Sequence, residues 1–210
     1  TKVAVLYAND DAFSKAGYDA FKKALDANKV QIVDTETFST ADKDFNAQLT
    51  KARDAKPDAL IVSALINPAV GLTTQARQLG LNIPIVGGNG FNSPAYIQQA
   101  GKAAEGVIVG AAWNSALPNQ KSQRFITEYK NRYNSPPDQF AAQAYAGVYI
   151  LAEAMKSAGT SIEPAALRDS LAKIQKFDTV LGSFSFTPTR DANHTAVIQQ
   201  VKDGQFVVLP

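Results

Sequence analysis

The chain has 210 residues, 45% of them apolar and 19% charged, with a formal net charge of +2, which suits a globular protein with one large core or two small ones. The near-balanced charge, with Lys and Arg scattered instead of gathered in a stripe, gives no basic surface for nucleic acid. A cysteine count of zero excludes thiol catalysis, disulfides and cysteine-bound zinc. The longest apolar stretch, residues 59–66 with Ser63 inside it, is far too short to cross a bilayer.

Residues 3–7 read as a short buried parallel strand, bounded by Asn9, Asp10 and Asp11. A helix is predicted from about residue 12 to 27, with Phe13, Ala16, Ala20, Ala24 and Ala27 along one side. Residues 30–33 begin a second strand. Ser39, Thr40 and Asp42 offer caps for a helix to about residue 55, in which Phe45, Leu49 and Ala52 fall at helical spacing. Residues 59–63 form a third strand, and Asn67-Pro68 reads as an N-cap followed by proline at the first helical position. Residues 83–86 are a fourth strand, followed by Gly87-Gly88-Asn89-Gly90-Phe91, a short helix from about Pro94 and a fifth strand at 106–111. Repeated βα units with short links predict a doubly wound parallel sheet with helices on both faces.

The pattern changes at Leu117-Pro118. Three helical stretches follow, marked by Phe125, Ile126, Tyr129 and Tyr133, then by Tyr145, Val148, Tyr149, Ala152 and Met155, then by Leu167, Leu171 and Ile174. Strand character returns at 182–186, 196–201 and 205–209, with Asp203-Gly204 a type I′ hairpin signal. The expected α/β fold is therefore a parallel layer, a helical excursion and a C-terminal antiparallel meander.

The strand-to-helix segment 3–17 and the stretches NPAVGLTTQARQLG (67–80), IPIVGGNGF (83–91), AAEGVIV (103–109), AAQAYAGVYILAEAMKSAG (141–159) and DGQFVVLP (203–210) together resemble the leucine/isoleucine/valine-binding family of periplasmic solute-binding proteins. These are the type I substrate receptors of ABC transporters. The resemblance implies two α/β lobes closing on a ligand, with residues 1–117 and 182–210 as the second, C-terminal lobe and residues 118–181 as helices of an incomplete first lobe. It implies a small-molecule ligand, an ABC permease as partner and a periplasmic or extracellular location, with a lipid anchor compatible. Thr1-Lys2 leads straight into a strand with no signal peptide in view, so a portion of a longer protein is expected.

The resemblance also marks ligand residues. Phe13 lies in the first βα turn, where the family places a cleft aromatic; the alternative is packing on its own helix. Asn89 stands where amino-acid-binding members carry a glutamate for the ligand ammonium. An amide holds that group much less strongly than a carboxylate, which shifts the expected ligand toward an amide, urea-like or aromatic carboxylate compound. The alternative is a turn asparagine tolerant of left-handed backbone angles. Phe91 either covers the ligand or buries itself under its loop. Ile66 walls the pocket, whereas Asn67 reads as a helix cap. Phe140 matches a further cleft aromatic.

Asp10 and Asp11 read as structural carboxylates at a helix start, not as an acid–base pair. His194 is the only histidine and lacks companions for a metal site. The glycine loop at 87–90 lacks the dinucleotide spacing, and no Walker A pattern occurs. No catalytic residue and no cofactor are expected. A solute receptor is the leading reading, with a ligand-sensing module of a transcription regulator or receptor as the alternative and an α/β enzyme last. The excursion helices are expected to present apolar faces with no sheet of their own, and so to collapse or self-associate.

Overall fold

Alternate residues of the first strand go to opposite faces of a sheet, and both sets are apolar, so helices must cover both sides. The computed structural model describes residues 1–159 and 163–209; residues 160–162 of the expected helical excursion, and Pro210 at the end of DGQFVVLP, lie outside the described residues. In chain order the elements are β1 (Lys2–Ala8), α1 (Ala12–Ala27), β2 (Gln31–Phe38), α2 (Asn46–Asp54), β3 (Ala59–Ser63), α3 (Ile66–Gln78), β4 (Ile85–Gly87), α4 (Pro94–Ala100) and β5 (Ile108–Ala111). They continue with α5 (Gln120–Tyr133), α6 (Gln139–Ala158), α7 (Pro164–Ala172), β6 (Phe177–Thr179), β7 (Gly182–Phe186), β8 (Ala192–Asn193), β9 (Val197–Lys202) and β10 (Gln205–Val208).

The chain divides into two units, one formed by Thr1–Ala111 together with the chain from Ile198, the other by Ala112–Val197. These limits differ from the sequence expectation of 117 and 182. The strand at 182–186 does not join the last hairpin: β7 pairs antiparallel with β6 and β8 in a three-stranded sheet of the second unit. The expected meander is thus split between the units, and only β9 and β10 return to the first.

In the first unit a seven-stranded sheet has the order β10-β9-β5-β4-β3-β1-β2. Strands β2, β1, β3, β4 and β5 pair in parallel, the doubly wound order 2-1-3-4-5 with its topological switch point between β1 and β3. Val3, Val5 and Ile61 meet Tyr18, Phe21 and Leu25 of α1 on one face. Ala4, Leu6, Ala8, Leu60 and Val62 meet Leu49, Ala69, Leu72 and Tyr96 on the other. The buried side of α1 is therefore Ser14, Gly17, Tyr18, Phe21 and Leu25, not the alanine row expected from the sequence, which faces solvent. Bulk decides the matter: the aromatic and leucine side chains remove far more apolar surface from water than the alanines would.

The helix expected from the cap residues at 39–42 begins only at Asn46. Phe45 is buried against the core and donates its N–H to the Gln75 side-chain oxygen at 2.7 Å, which keeps the preceding residues as a loop. The hairpin signal is realised: β9 and β10 pair antiparallel, and Asp203 and Gly204 have φ of 51° and 72°, as a type I′ turn requires.

In the second unit Trp113 is buried, donates Nε1–H to Ser122 Oγ at 2.8 Å and meets Phe125 edge to face. Ala142 and Ala146 of α6 join that cluster, while Ile150 and Ala154 pack on Ile174 and Phe184. The other side of α6 carries Phe140, Ala144, Gly147, Val148, Leu151 and Met155 at helical spacing, all exposed.

Asp34, on edge strand β2, has a buried carboxylate oxygen without a hydrogen-bond partner among the described residues. Burial, then the neighbouring Glu36 charge, raises its pKa. A raised carboxyl pKa means that the fold is favoured while Asp34 is protonated and loses that advantage as pH rises through the raised value. Replacement Asp34→Asn is expected to raise the thermal midpoint by about 2 °C at pH 7, with the gain shrinking as pH falls through the raised value and gone below the ordinary aspartate value of 3.8; calorimetric melts across that range check it.

Candidate functional site

In a parallel sheet the turns after each strand share one edge, and ligands gather there at the switch point. The turn after β1 is held by Asp11, the N-cap of α1, whose Oδ2 accepts from the Ser14 N–H at 2.8 Å and the Ser14 hydroxyl at 2.7 Å. The buried Ser63 hydroxyl, at the end of β3, donates to the Ser14 carbonyl at 2.8 Å. A Cβ on Gly17 would land on the Ser63 hydroxyl, so the glycine is what lets helix and strand meet. Phe13 stands on this fixed turn with 45% of its surface exposed, which leaves it outside the helix's buried side.

The turn after β3 differs from expectation. Helix α3 starts at Ile66, with Leu65 as its N-cap and no side-chain cap bond. Asn67 is therefore an exposed residue inside the first turn, not the cap, and Pro68 sits two residues into the helix. Proline is tolerated there because first-turn N–H groups lack intrahelical partners. Ile66 is half-buried against the core, whereas Leu65 is 40% exposed. The apolar residue presented at this edge is thus chiefly Leu65, one position before the one singled out from sequence. The continuous run Ala64-Leu65-Ile66 past the strand end was the available signal.

The loop after β4 is held on four sides. A Cβ on Gly90 would strike the Ala64 carbonyl, and one on Gly87 would strike the Phe91 ring. The Gln199 amide of β9 donates to Asn92 Oδ1 at 2.6 Å in a buried bond, and Ser93 caps α4. Phe91 is fully buried, tilted against Tyr96 at 5.1 Å between ring centroids. The Tyr96 hydroxyl shares a 2.9 Å hydrogen bond with Thr73, and burial pushes its pKa up to about 12. Phe91 is therefore the loop's anchor and offers no surface to a ligand. Asn89 is half-buried in a 3-10 turn, Asn89–Phe91, and its backbone is not left-handed. The turn-asparagine explanation is removed, since any residue tolerates these angles.

Phe13, Leu65 and Asn89 accordingly stand on turns that follow β1, β3 and β4, neighbouring strands at one edge. Phe140 belongs to the second unit, exposed in the first turn of α6. That unit also holds a cavity of about 230 Å³ lined by Lys121, Arg124, Tyr145, Tyr149 and Phe177. Its charges are already paired, Lys121 with Asp178 at 3.0 Å and Arg124 with Glu128 at 2.7 Å. Among the described residues no three of His, Asp or Glu form a group able to hold a metal ion.

A family model described as periplasmic binding protein matches residues 1–205. The chain is 27% identical over 209 residues to a Leu/Ile/Val-binding protein homolog of Brucella melitensis, covering 99% of this chain and 56% of that protein. It superposes on a leucine binding protein of Thermotoga maritima with a TM-score of 0.92 at 26% identity, covering 100% of this chain and 59% of that one. A branched-chain amino acid transporter substrate binding protein of Streptococcus pneumoniae, solved in complex with isoleucine, matches with a TM-score of 0.85 at 31% identity, over 99% of this chain and 60% of that one. The chain spans about half the length of the curated relatives it matches.

The two aromatics at this edge are expected to respond oppositely to truncation. Phe91→Ala should cost about 3–5 kcal/mol of stability, whereas Phe13→Ala should leave it within about 0.5 kcal/mol. Urea unfolding of both variants checks the contrast.

Proposed function

The chain belongs to the periplasmic binding protein family, and on that footing we propose that it is the C-terminal portion of an extracytoplasmic solute receptor that serves an ABC importer, with its first unit as the ligand-gripping second lobe. One observation carries the reading: an exposed aromatic, an exposed leucine and a half-buried amide on the turns after three neighbouring strands, β1, β3 and β4, at and beside the switch point of a doubly wound sheet. Phe13 and Leu65 supply apolar walls, and Asn89 supplies a neutral donor and acceptor. No step of bond making is assigned to these groups; they hold a solute without transforming it.

The ligand class that fits is a small amino-acid-like or aromatic acid with an apolar portion for Phe13 and Leu65. An α-ammonium group finds at Asn89 an amide where a carboxylate would hold it more strongly. Relatives named for branched-chain amino acids favour an aliphatic side chain, and the amide favours an uncharged or acidic polar end. Residues 118–181, in the second unit, we assign to the receptor's first lobe, and Phe140 with them as an aromatic of that lobe's own ligand face. The bare stripe further along α6 (Ala144, Val148, Leu151, Met155) is then the surface that the remaining length seen in the relatives covers, and in this chain alone it promotes self-association.

Half of a gripping surface falls short of the roughly −8 kcal/mol that micromolar capture needs. Titration of this chain with isoleucine and with benzoate, followed by NMR, is expected to give dissociation constants on the order of millimolar, with shifts centred on Phe13, Leu65 and Asn89. Micromolar calorimetric binding by this chain overturns the half-site assignment, and shifts centred elsewhere overturn the site. Sedimentation should show a concentration-dependent dimer that Val148→Glu dissolves.

A further inference from the structure

Phe13 owes its position to a turn of only a few residues, and that turn is tied to two neighbouring strands by different means. On the β3 side stands the Ser63–Ser14 bond, while the Asp11 cap holds the turn to its own helix. On the β2 side the tie is the carboxylate of Asp10, three residues before Phe13. Its Oδ2 accepts from the Ser39 hydroxyl at 2.7 Å and the Thr40 hydroxyl at 3.0 Å. The Thr40 N–H points at both carboxylate oxygens, at 2.9 and 3.1 Å. A backbone bond from the Asn9 N–H to the Phe38 carbonyl at 3.0 Å runs alongside.

Asp10 is exposed and caps no helix: Asp11 does that. Three donors converge on one carboxylate, an arrangement that favours the ionised form, and its pKa is lowered by the Ser39 hydroxyl first and the Thr40 N–H next. The donors sit 29 and 30 positions away, in the loop that replaced the expected start of α2. An exposed carboxylate spent on joining two loops at the ligand edge adds little to the core. What it fixes is where the β1–α1 turn lies relative to the loop after β2.

We propose that Asp10 is a positioning residue of the binding edge: its carboxylate, clamped by Ser39 and Thr40, sets the place of Phe13 and thereby the outer limit of the surface that meets the ligand. The inference rests on the receptor reading of this edge for its functional meaning, but the clamp itself is a property of the chain without ligand. Selectivity follows from it. A released turn lets the Phe13 ring move, which weakens ligands that need a fixed apolar wall more than ligands held through polar groups.

The test places 4-fluorophenylalanine at position 13 and reads its fluorine signal in the otherwise intact chain. Asp10→Ala is expected to shift or broaden that signal and to speed amide exchange at Thr40 about tenfold. Asp10→Asn, which keeps one acceptor oxygen, should fall between, and it carries the test if the alanine variant fails to fold. Asp44→Ala is the control, since Asp44 accepts from the Asn46 N–H at 3.0 Å and the Asn46 side-chain amide at 2.7 Å further along the same loop instead of from Ser39 or Thr40; its Phe13 signal should match the parent. The parent signal should also change as pH falls below the ordinary aspartate value of 3.8, because protonation removes the charged acceptor. An unmoved signal in Asp10→Ala, or equal movement in Asp44→Ala, overturns the proposal. Isoleucine and benzoate titrations supply the second arm, with binding expected to weaken at least threefold in Asp10→Ala and benzoate, which has one polar group and a ring that needs the wall, to lose more than isoleucine. Should the parent bind neither, the receptor reading fails while the fluorine signal still decides the clamp.

Discussion

The buried hydrogen bond from the Ser63 hydroxyl to the Ser14 carbonyl is the contact on which the binding edge depends. It crosses the switch point, where β1 and β3 send their chains to opposite faces of the sheet and a gap necessarily opens between the two turns. Only the missing side chain at Gly17 admits the serine hydroxyl. A polar group buried here must be satisfied, because an unmade bond would cost about 1–3 kcal/mol. Gly90 repeats the device one strand further, bringing the β4 loop onto the Ala64 carbonyl. Each contact fixes the distance between two turns at a backbone carbonyl, of Ser14 in one case and Ala64 in the other, so the side chains they carry are held by the scaffold and need little ordering on binding.

The parallel layer was legible because its strands are buried on both faces, which makes short apolar runs such as residues 3–7 and 59–63 stand out between turn residues. The final hairpin was legible for a local reason, since Asp203-Gly204 has the backbone freedom that the type I′ turn demands. The buried side of α1 was not. Its alanines and its larger residues both repeat at helical spacing, and the choice between them is made by what the sheet offers, namely Val3, Val5 and Ile61. The delayed start of α2 was hidden for a similar reason, because Phe45 is drawn into the core by Gln75, thirty residues away.

Among the candidate ligand residues, the turn assignments came from chain order and the side-chain fates from packing. Phe13 and Phe91 look alike in sequence, each an aromatic just beyond a strand. One is left on the surface by the rotation of α1; the other is drawn under its loop by the space above Gly87. Leu65 was missed by one position because Asn67-Pro68 mimics a helix start, while the backbone begins the turn earlier and accommodates proline where no donor is needed.

The order of the sheet has a consequence for biogenesis. Strands β9 and β10 are synthesised after the whole second unit, yet β9 lies beside β5, with the Val201 N–H bonded to the Val107 carbonyl at 2.9 Å. Until they emerge from the ribosome, β5 is an open sheet margin and Asn92 lacks its bond from Gln199. The intervening unit has its own buried clusters, so it can consolidate while the earlier strands wait. A nascent chain halted before residue 197 would leave β5 as a template for pairing with other chains, so β9 and β10 act as a closing stitch on a sheet begun long before them.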